Sequence, residues 1–316
     1  MSGIKPESRL LYHSGSPILE VQNGDVTGHL FVKPEGSRLM NELGDAIYIK
    51  PQTVKYHAHL RGAETFLMLQ GSVEMHINHK KCAIVKGDLM HIRSHVHHGF
   101  SVLETDTTWR EMFQDIDMYA GILGKANLRD YTPELLEDEE FSARRLHRAG
   151  TDYRDAPPLE ECNKYSIHQV KPADKPMLTF DVPFGMLHLR VSRWELDGAK
   201  EIWQFDLNEG SMLDFSMPFA DSPLYHIIEG SLHVDSDRES FDASEGDIIK
   251  IPPYLRHKLT ASKNVKILAL NVQSNLLNIL EYLHATKVRN PEMLEDWNYI
   301  GKVLKDNNCW LTGYTV

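Results

Sequence analysis

Two histidines, His57 and His59, stand two residues apart, Glu64 follows after four more residues, and His98 lies further along the chain. Residues two apart in a strand share a face, so His57 and His59 project together. Arg61-Gly62-Ala63 can turn the chain and place Glu64 on a neighbouring strand. His98 then arrives at the end of Gly87-Asp-Leu-Met-His-Ile-Arg-Ser-His-Val-His-His98. Three imidazoles and one carboxylate converging inside a β-barrel suit a borderline divalent metal. With two coordination positions left open, such a set matches the working arrangement of non-haem iron oxygenases. A closed four-ligand zinc site would instead be structural.

Other residues are placed to assist. His91, His95 and His97 surround the fourth ligand, and His95 is the candidate for acid–base work at the pocket mouth. If Glu64 points inward, Phe66 and Met68 do so too by alternation, and Phe100 follows His98. Tyr48 and Lys50 precede Pro51. Lys50 is the candidate to hold a substrate carboxylate and Tyr48 to donate a proton. Trp109, Arg110 and Glu111 end a strand region and receive no role.

The elements that must position these groups are short strands. Apolar segments alternate with turn signals over about 45–113 and again over 205–273, the pattern of an antiparallel sandwich or barrel. The two regions repeat one another. Gly71, Gly87 and His98 recur as Gly230, Gly246 and His257, each 159 residues later. An ungapped repeat of this kind constrains the fold more than local propensity does. Between the regions, Pro133–His147 is expected to be helical, with Thr132 as N-cap and Pro133 at the first helical position. Asp155-Ala-Pro-Pro158 reads as a linker. Two helices are expected after the second region, from Asn275 to about Lys287 and from Pro291 to about Asp306. The expected division is 1–150 for the first barrel with its linker helix, and 151–316 for the second with its helices.

Composition narrows the partners. The 316 residues carry 34 Lys and Arg against 45 Asp and Glu, a formal charge of −11. That balance disfavours nucleic acid or an anionic membrane as the main partner. The three cysteines, Cys82, Cys162 and Cys309, form no CxxC and no disulfide framework. No stretch of about 18 apolar residues is present, nor an apolar leader, so a reduced cytoplasmic protein is expected. Phosphate-loop, dinucleotide, nucleophile-elbow and zincin motifs are absent.

HxH, four residues, Glu, six residues, Gly resembles the first signature of the cupin superfamily, and Gly87 to His98 resembles the second. Gly246-Asp-Ile-Ile-Lys-Ile-Pro-Pro-Tyr-Leu-Arg-His257 matches the second signature again. There are departures: Pro51 stands where the first signature opens with Gly, and Arg93 and His95 replace the Pro and Gly of the second. The resemblance implies an all-β bicupin, two jelly-roll barrels with a helical linker and C-terminal helices. It implies one divalent metal on His57, His59, Glu64 and His98, with Fe2+ the first choice and Mn2+, Zn2+ or Ni2+ open. An offset of 159 puts Ser216, Pro218 and Pro223 where the second barrel would need His, His and Glu. Only His257 remains there, so that barrel is expected to be metal-free. The expected function is a metal-dependent dioxygenase acting on a small hydroxylated, aromatic or dicarbonyl molecule. The alternatives are a non-redox isomerase, lyase or decarboxylase using the metal as a Lewis acid, and a non-catalytic small-molecule binder. A homodimer is compatible with the family.

Overall fold

Segment Ser72–Ile77 shows how these sequences become sheet. Val73, Met75 and Ile77 are buried while Ser72, Glu74 and His76 are partly exposed, the two-residue period of a strand with one face on a core. The computed structural model describes residues 9–32, 41–114, 118–196, 200–215, 222–273, 275–307 and 313–315. The chain divides into two units: Pro17–Lys175, and Met1–Ser16 together with Pro176–Val316.

The opening strand β1 (Leu11–Tyr12) belongs to the C-terminal unit. The N-terminal unit follows with β2 (Leu19–Asn23), β3 (Val26–Val32), β4 (Asn41–Tyr48), β5 (Gln52–His59), β6 (Ala63–Gln70) and β7 (Ser72–Ile77). Then come β8 (Lys80–Val85), β9 (Leu89–Arg93), β10 (His98–Val102) and β11 (Thr107–Gln114). Helices α1 (Met118–Tyr131), α2 (Glu134–Glu137) and α3 (Glu139–Ala149) lead to short strands β12 (Thr151–Tyr153), β13 (Glu160–Glu161) and β14 (Val170–Lys171). Two sheets result, in the orders β12-β5-β10-β7-β8-β13 and β14-β9-β6-β11-β4-β3-β2. They enclose one core that includes Phe66, Met68, Phe100, Trp109 and Phe113, a jelly roll.

The C-terminal unit repeats the plan. It contains β15 (Leu178–Val182), β16 (Gly185–Val191), β17 (Lys200–Leu207), β18 (Met212–Phe215), β19 (Leu224–Glu229) and β20 (Ser231–Ser236). It continues through β21 (Ser240–Ser244), β22 (Ile248–Lys250), β23 (His257–Ala261), β24 (Val265–Gln273), α4 (Asn275–Arg289), α5 (Trp297–Asp306) and β25 (Gly313–Thr315). Its sheets run β1-β22-β19-β24-β17-β16-β15 and β21-β20-β23-β18-β25. The repeat is visible in the turns. Gly71 and Gly230 have φ of 76° and 84°, and a Cβ there would run into Thr107 or the Asn264 carbonyl. Only glycine meets both demands without strain.

Three features differ from expectation. The division expected at 150/151 falls inside the N-terminal unit, because β12, β13 and β14 pair with β5, β8 and β9. The linker helix is broken at Asp138, whose carboxylate accepts the Phe141 N–H at 2.8 Å. That cap requires the extended backbone Asp138 adopts. Helix α1 had no sequence signal, since Gly121 and Gly124 weaken its helical propensity. The last expected helix opens instead as a 3-10 turn, Pro291–Glu295, before α5. Cys82 and Cys162 are free thiols; Cys309 lies outside the described residues. No described helix is long and apolar enough to cross a membrane.

Candidate metal centre

β5 and β10 pair directly at His57 and His98, yet Phe100 faces Val54. Three steps along β5 match two along β10, so β5 carries one extra residue. A bulge of this kind re-aims side chains. Val54 packs on the core, and the added residue turns His57 and then His59 to the same interior. Leu60 to Gly62 reverse the chain, and Glu64 enters as the second residue of β6.

The four side chains meet. His57, His59, Glu64 and His98 are all buried, and their ligand atoms lie within 4.8 Å of one another. Ring centroids are 4.5 Å apart for His57 and His98 and 5.1 Å for His57 and His59. Glu64 contacts His59 Nε2 with one oxygen and lies 3.3 Å from His98 Nε2 with the other. His57 Nδ1–H donates to the Lys55 carbonyl at 2.7 Å, and His98 Nδ1–H to the Val96 carbonyl at 2.9 Å. A carbonyl can only accept, so in its neutral form each ring presents an Nε2 lone pair to the centre. Both ring nitrogens of His59, Glu64 Oε1 and His98 Nε2 are buried without a hydrogen-bond partner. Buried polar atoms rarely go unpaired. Convergent orphaned atoms on a three-nitrogen, one-carboxylate set are what a divalent first-row cation would satisfy.

The electrostatics favour the ligating states. Burial, then the charge of His98, pushes His57 down to about 4. Burial also lowers His59. Burial alone would raise Glu64, but His59, His98 and His57 together hold it at about 2. For His98 burial is outweighed by Glu64, and its value rises. Two imidazoles are thus kept neutral and the carboxylate kept charged.

The other expected residues take different places. Tyr48 is buried in the barrel core, its ring 4.5 Å from Trp109 and 6.2 Å from Phe100. Lys50 is exposed and bonded to Asp25 at 3.1 Å. Its place after the end of β4 carries it to solvent, and the structure does not bring it to the cluster. His95 is exposed, with φ of 65°, and its backbone N–H donates to the His59 carbonyl at 2.7 Å. It braces the ligand strand through its main chain. His97 bonds Asp152 at 3.2 Å, and His91 is buried against Thr65 at 2.9 Å.

Three neighbours escaped the sequence reading. Glu111 of β11 is buried opposite Phe66 and accepts the Trp109 Nε1–H at 2.8 Å. Burial, reinforced by Glu64, Asp45 and Glu42 and opposed by Trp109, pushes it up to about 8. Its signal was the alternation Trp109, Glu111, Phe113, which puts a carboxyl on the inward face. Tyr153 of β12 stands opposite His57, with ring centroids 5.4 Å apart. Arg145 of α3 keeps its Nε buried without a partner. Neither had a sequence signal, because β12 joins the sheet only through tertiary pairing.

The second barrel closes the same place. β18 pairs with β23 without a shift, so Phe215, not a histidine, faces His257. The Phe215 ring stacks on His257 at 4.6 Å, and the Tyr225 hydroxyl lies 3.3 Å from its Nε2. Pro223 occupies the position of Glu64, its carbonyl accepting the Ile251 N–H. Ser216 and Pro218 lie outside the described residues. Among the described residues, the cluster on the first barrel is the one group arranged to hold a metal.

A family model for the cupin domain matches residues 44–110, the stretch that carries all four ligands. That stretch is a cupin domain. Both units together share the two-barrel fold of oxalate decarboxylase. One solved oxalate decarboxylase aligns at a TM-score of 0.55 and 12% identity, covering 84% of this chain and 78% of that one. The Bacillus subtilis enzyme described for its Mn(II) centres aligns at 0.54 and 12%, with the same coverage. The same enzyme at pH 4.6 aligns at 0.52 and 12%, covering 84% and 77%. At this identity the likeness is one of fold. No curated protein matches the chain by sequence. The cupin's metal-centre geometry rests on its own residues.

Proposed function

We propose that this cupin is a metal-dependent enzyme that cleaves or rearranges a small oxygen-rich molecule by non-redox chemistry, decarboxylation being the leading case. The observation that carries the reading is the convergence of four buried ligand groups, three of which, His59, Glu64 and His98, present atoms without hydrogen-bond partners. His57, His59, Glu64 and His98 would hold the ion. A divalent cation there supplies Lewis acidity, drawing electron density from substrate oxygens.

The chain's own residues do the rest. His57 and His98 are oriented by the Lys55 and Val96 carbonyls, so no imidazole must turn when substrate arrives. Phe66, Phe100 and Phe113 wall the interior and keep water out. Glu111 favours the non-redox reading. When a C–C bond breaks and carbon dioxide leaves, its electron pair stays on the remaining carbon and must take a proton. A buried carboxyl that stays protonated near neutral pH is a resident donor, and solvent water reprotonates it afterwards. Oxalate decarboxylase, whose fold this chain shares, is described with Mn(II) centres, and manganese therefore joins iron as a metal to load first.

The second reading is a dioxygenase. It draws on the aromatic lining of the same barrel, Phe66, Phe100 and Trp109, which suits an apolar ring. The deciding experiment loads the protein with Mn(II) or Fe(II) and offers oxalate, malonate, oxaloacetate, acetylacetone and catechol. Carbon dioxide or rearranged product without stoichiometric oxygen uptake supports the lyase reading. One O₂ consumed per product supports the dioxygenase. A protein that retains no metal from either solution overturns both.

A further inference from the structure

The site has a wall that comes from outside the barrel sequence. α3 ends at Gly150, which adopts the left-handed conformation with φ of 70° and donates its N–H to the His147 carbonyl. The chain then reverses into β12, where Thr151 pairs with His59 and Tyr153 with His57. The Gly150 carbonyl accepts the Leu60 N–H at 2.7 Å, and Arg154 N–H donates to the Tyr56 carbonyl at 3.1 Å. The last turns of the linker helix are thereby stitched to the strand that carries two ligands.

Two hydrogen-bond donors on this wall have no protein acceptor among the described residues. Arg145 makes no ion pair there, and its Nε has no exposed surface. The Tyr153 hydroxyl makes no hydrogen bond, while its ring lies 5.4 Å from His57. Arg145 is close enough to Tyr153 for its charge to act on the phenol, and so is Glu64. The nearby carboxylate of Asp152 is already engaged by Arg154 at 3.0 Å and His97 at 3.2 Å. On α3, Arg144 is paired with Glu140 at 2.7 Å. Arg145 is therefore an uncommitted cation beside Tyr153, in a chain of net charge −11. An arginine fork with no partner is matched by a carboxylate, which accepts two parallel hydrogen bonds.

We propose that Arg145 and Tyr153 form an anion-reading end of the substrate site, so that the substrate is a small carboxylate of a few carbons. One oxygen-bearing end lies at the four-ligand cluster and a free carboxylate is held by Arg145 and Tyr153. The role expected of Lys50 passes to a residue of the linker helix. This inference rests on the metal-dependent reading above and names its substrate class.

The test measures calorimetric binding of malonate and of its neutral diamide, malonamide, to the full chain loaded with Mn(II). Elemental analysis of the same samples reports the metal. Wild type should prefer malonate. Arg145→Gln should weaken malonate roughly tenfold to a hundredfold, the range for a lost charge-assisted hydrogen bond, and leave malonamide unchanged. Arg145→Lys should fall between, because the charge remains and the fork does not. Tyr153→Phe should weaken malonate less than Arg145→Gln and guards against a folding defect in the latter. Equal affinity for both probes in wild type, binding of neither, or full malonate affinity in Arg145→Gln overturns the proposal. Absence of metal with malonate still read through Arg145 would sink the metal reading and leave the anion site standing.

Discussion

The cluster's protonation pattern makes a specific demand on metal affinity. A metal must displace whatever protons its ligands hold. Three histidines of ordinary pKa, about 6.5, would each weaken binding roughly elevenfold at pH 5.5, together roughly 1,300-fold. Here His57 is held at about 4 and His59 is also lowered, both chiefly by burial. Glu64, at about 2, stays ionised across the whole window. His98 alone is raised, through Glu64, so one proton rather than three competes with the ion. The apparent Kd for Mn(II) should therefore rise by at most about two powers of ten between pH 7.5 and 5.5. Independent ordinary histidines would give about three. Electron paramagnetic resonance of free Mn(II), read in titrations across this range, gives log Kd against pH. A limiting slope near one is expected. A slope near three, or none, would refute the claim that the fold sets these protonation states before the metal arrives.

Removing ligands should be equally plain. Glu64→Gln deletes the one anionic ligand and His98→Ala deletes an imidazole; each should lower metal content from one ion per chain to below about a tenth, by elemental analysis after dialysis. Glu111 is a neutral acid at physiological pH, raised from its ordinary value to about 8. A raised carboxyl contributes stability that is lost as pH rises from the unfolded value of about 4.5 through 8, on the order of 5 kcal/mol. Glu111→Gln should abolish that loss, so the metal-free variant should exceed wild type in Tm at pH 9. In the C-terminal unit, burial lowers His257 from its ordinary value to about 4. The folded state should lose on the order of 3 kcal/mol as pH falls from 6.5 to 4, and His257→Leu should flatten that limb in denaturant titrations. An unchanged acid limb would show that His257 is not the group that titrates.

The ligand set was legible because its grammar is local. His57 and His59 are two steps apart on one strand, and Glu64 opens the next, so spacing alone brings them near. The repeat was legible because Gly71 and Gly230 serve the same turn, where a side chain would collide. Lys50 misled because strand alternation says which face a residue takes but not where the strand stops, and Lys50 lies beyond the end of β4. Tyr153 was invisible because a three-residue strand earns its place beside His57 only through pairing with β5.

By itself, then, the sequence determined which residues are able to bind a metal, that two barrels repeat one plan, and that the second has lost its carboxylate at Pro223. These follow from residue type and short-range periodicity. Tertiary structure alone decided whether the ligands meet. The one-residue bulge in β5 turns His57 inward, whereas the unshifted pairing of β18 puts Phe215 in the corresponding place. A bulge is a property of two strands in register, and register is set by the partner and the core they share.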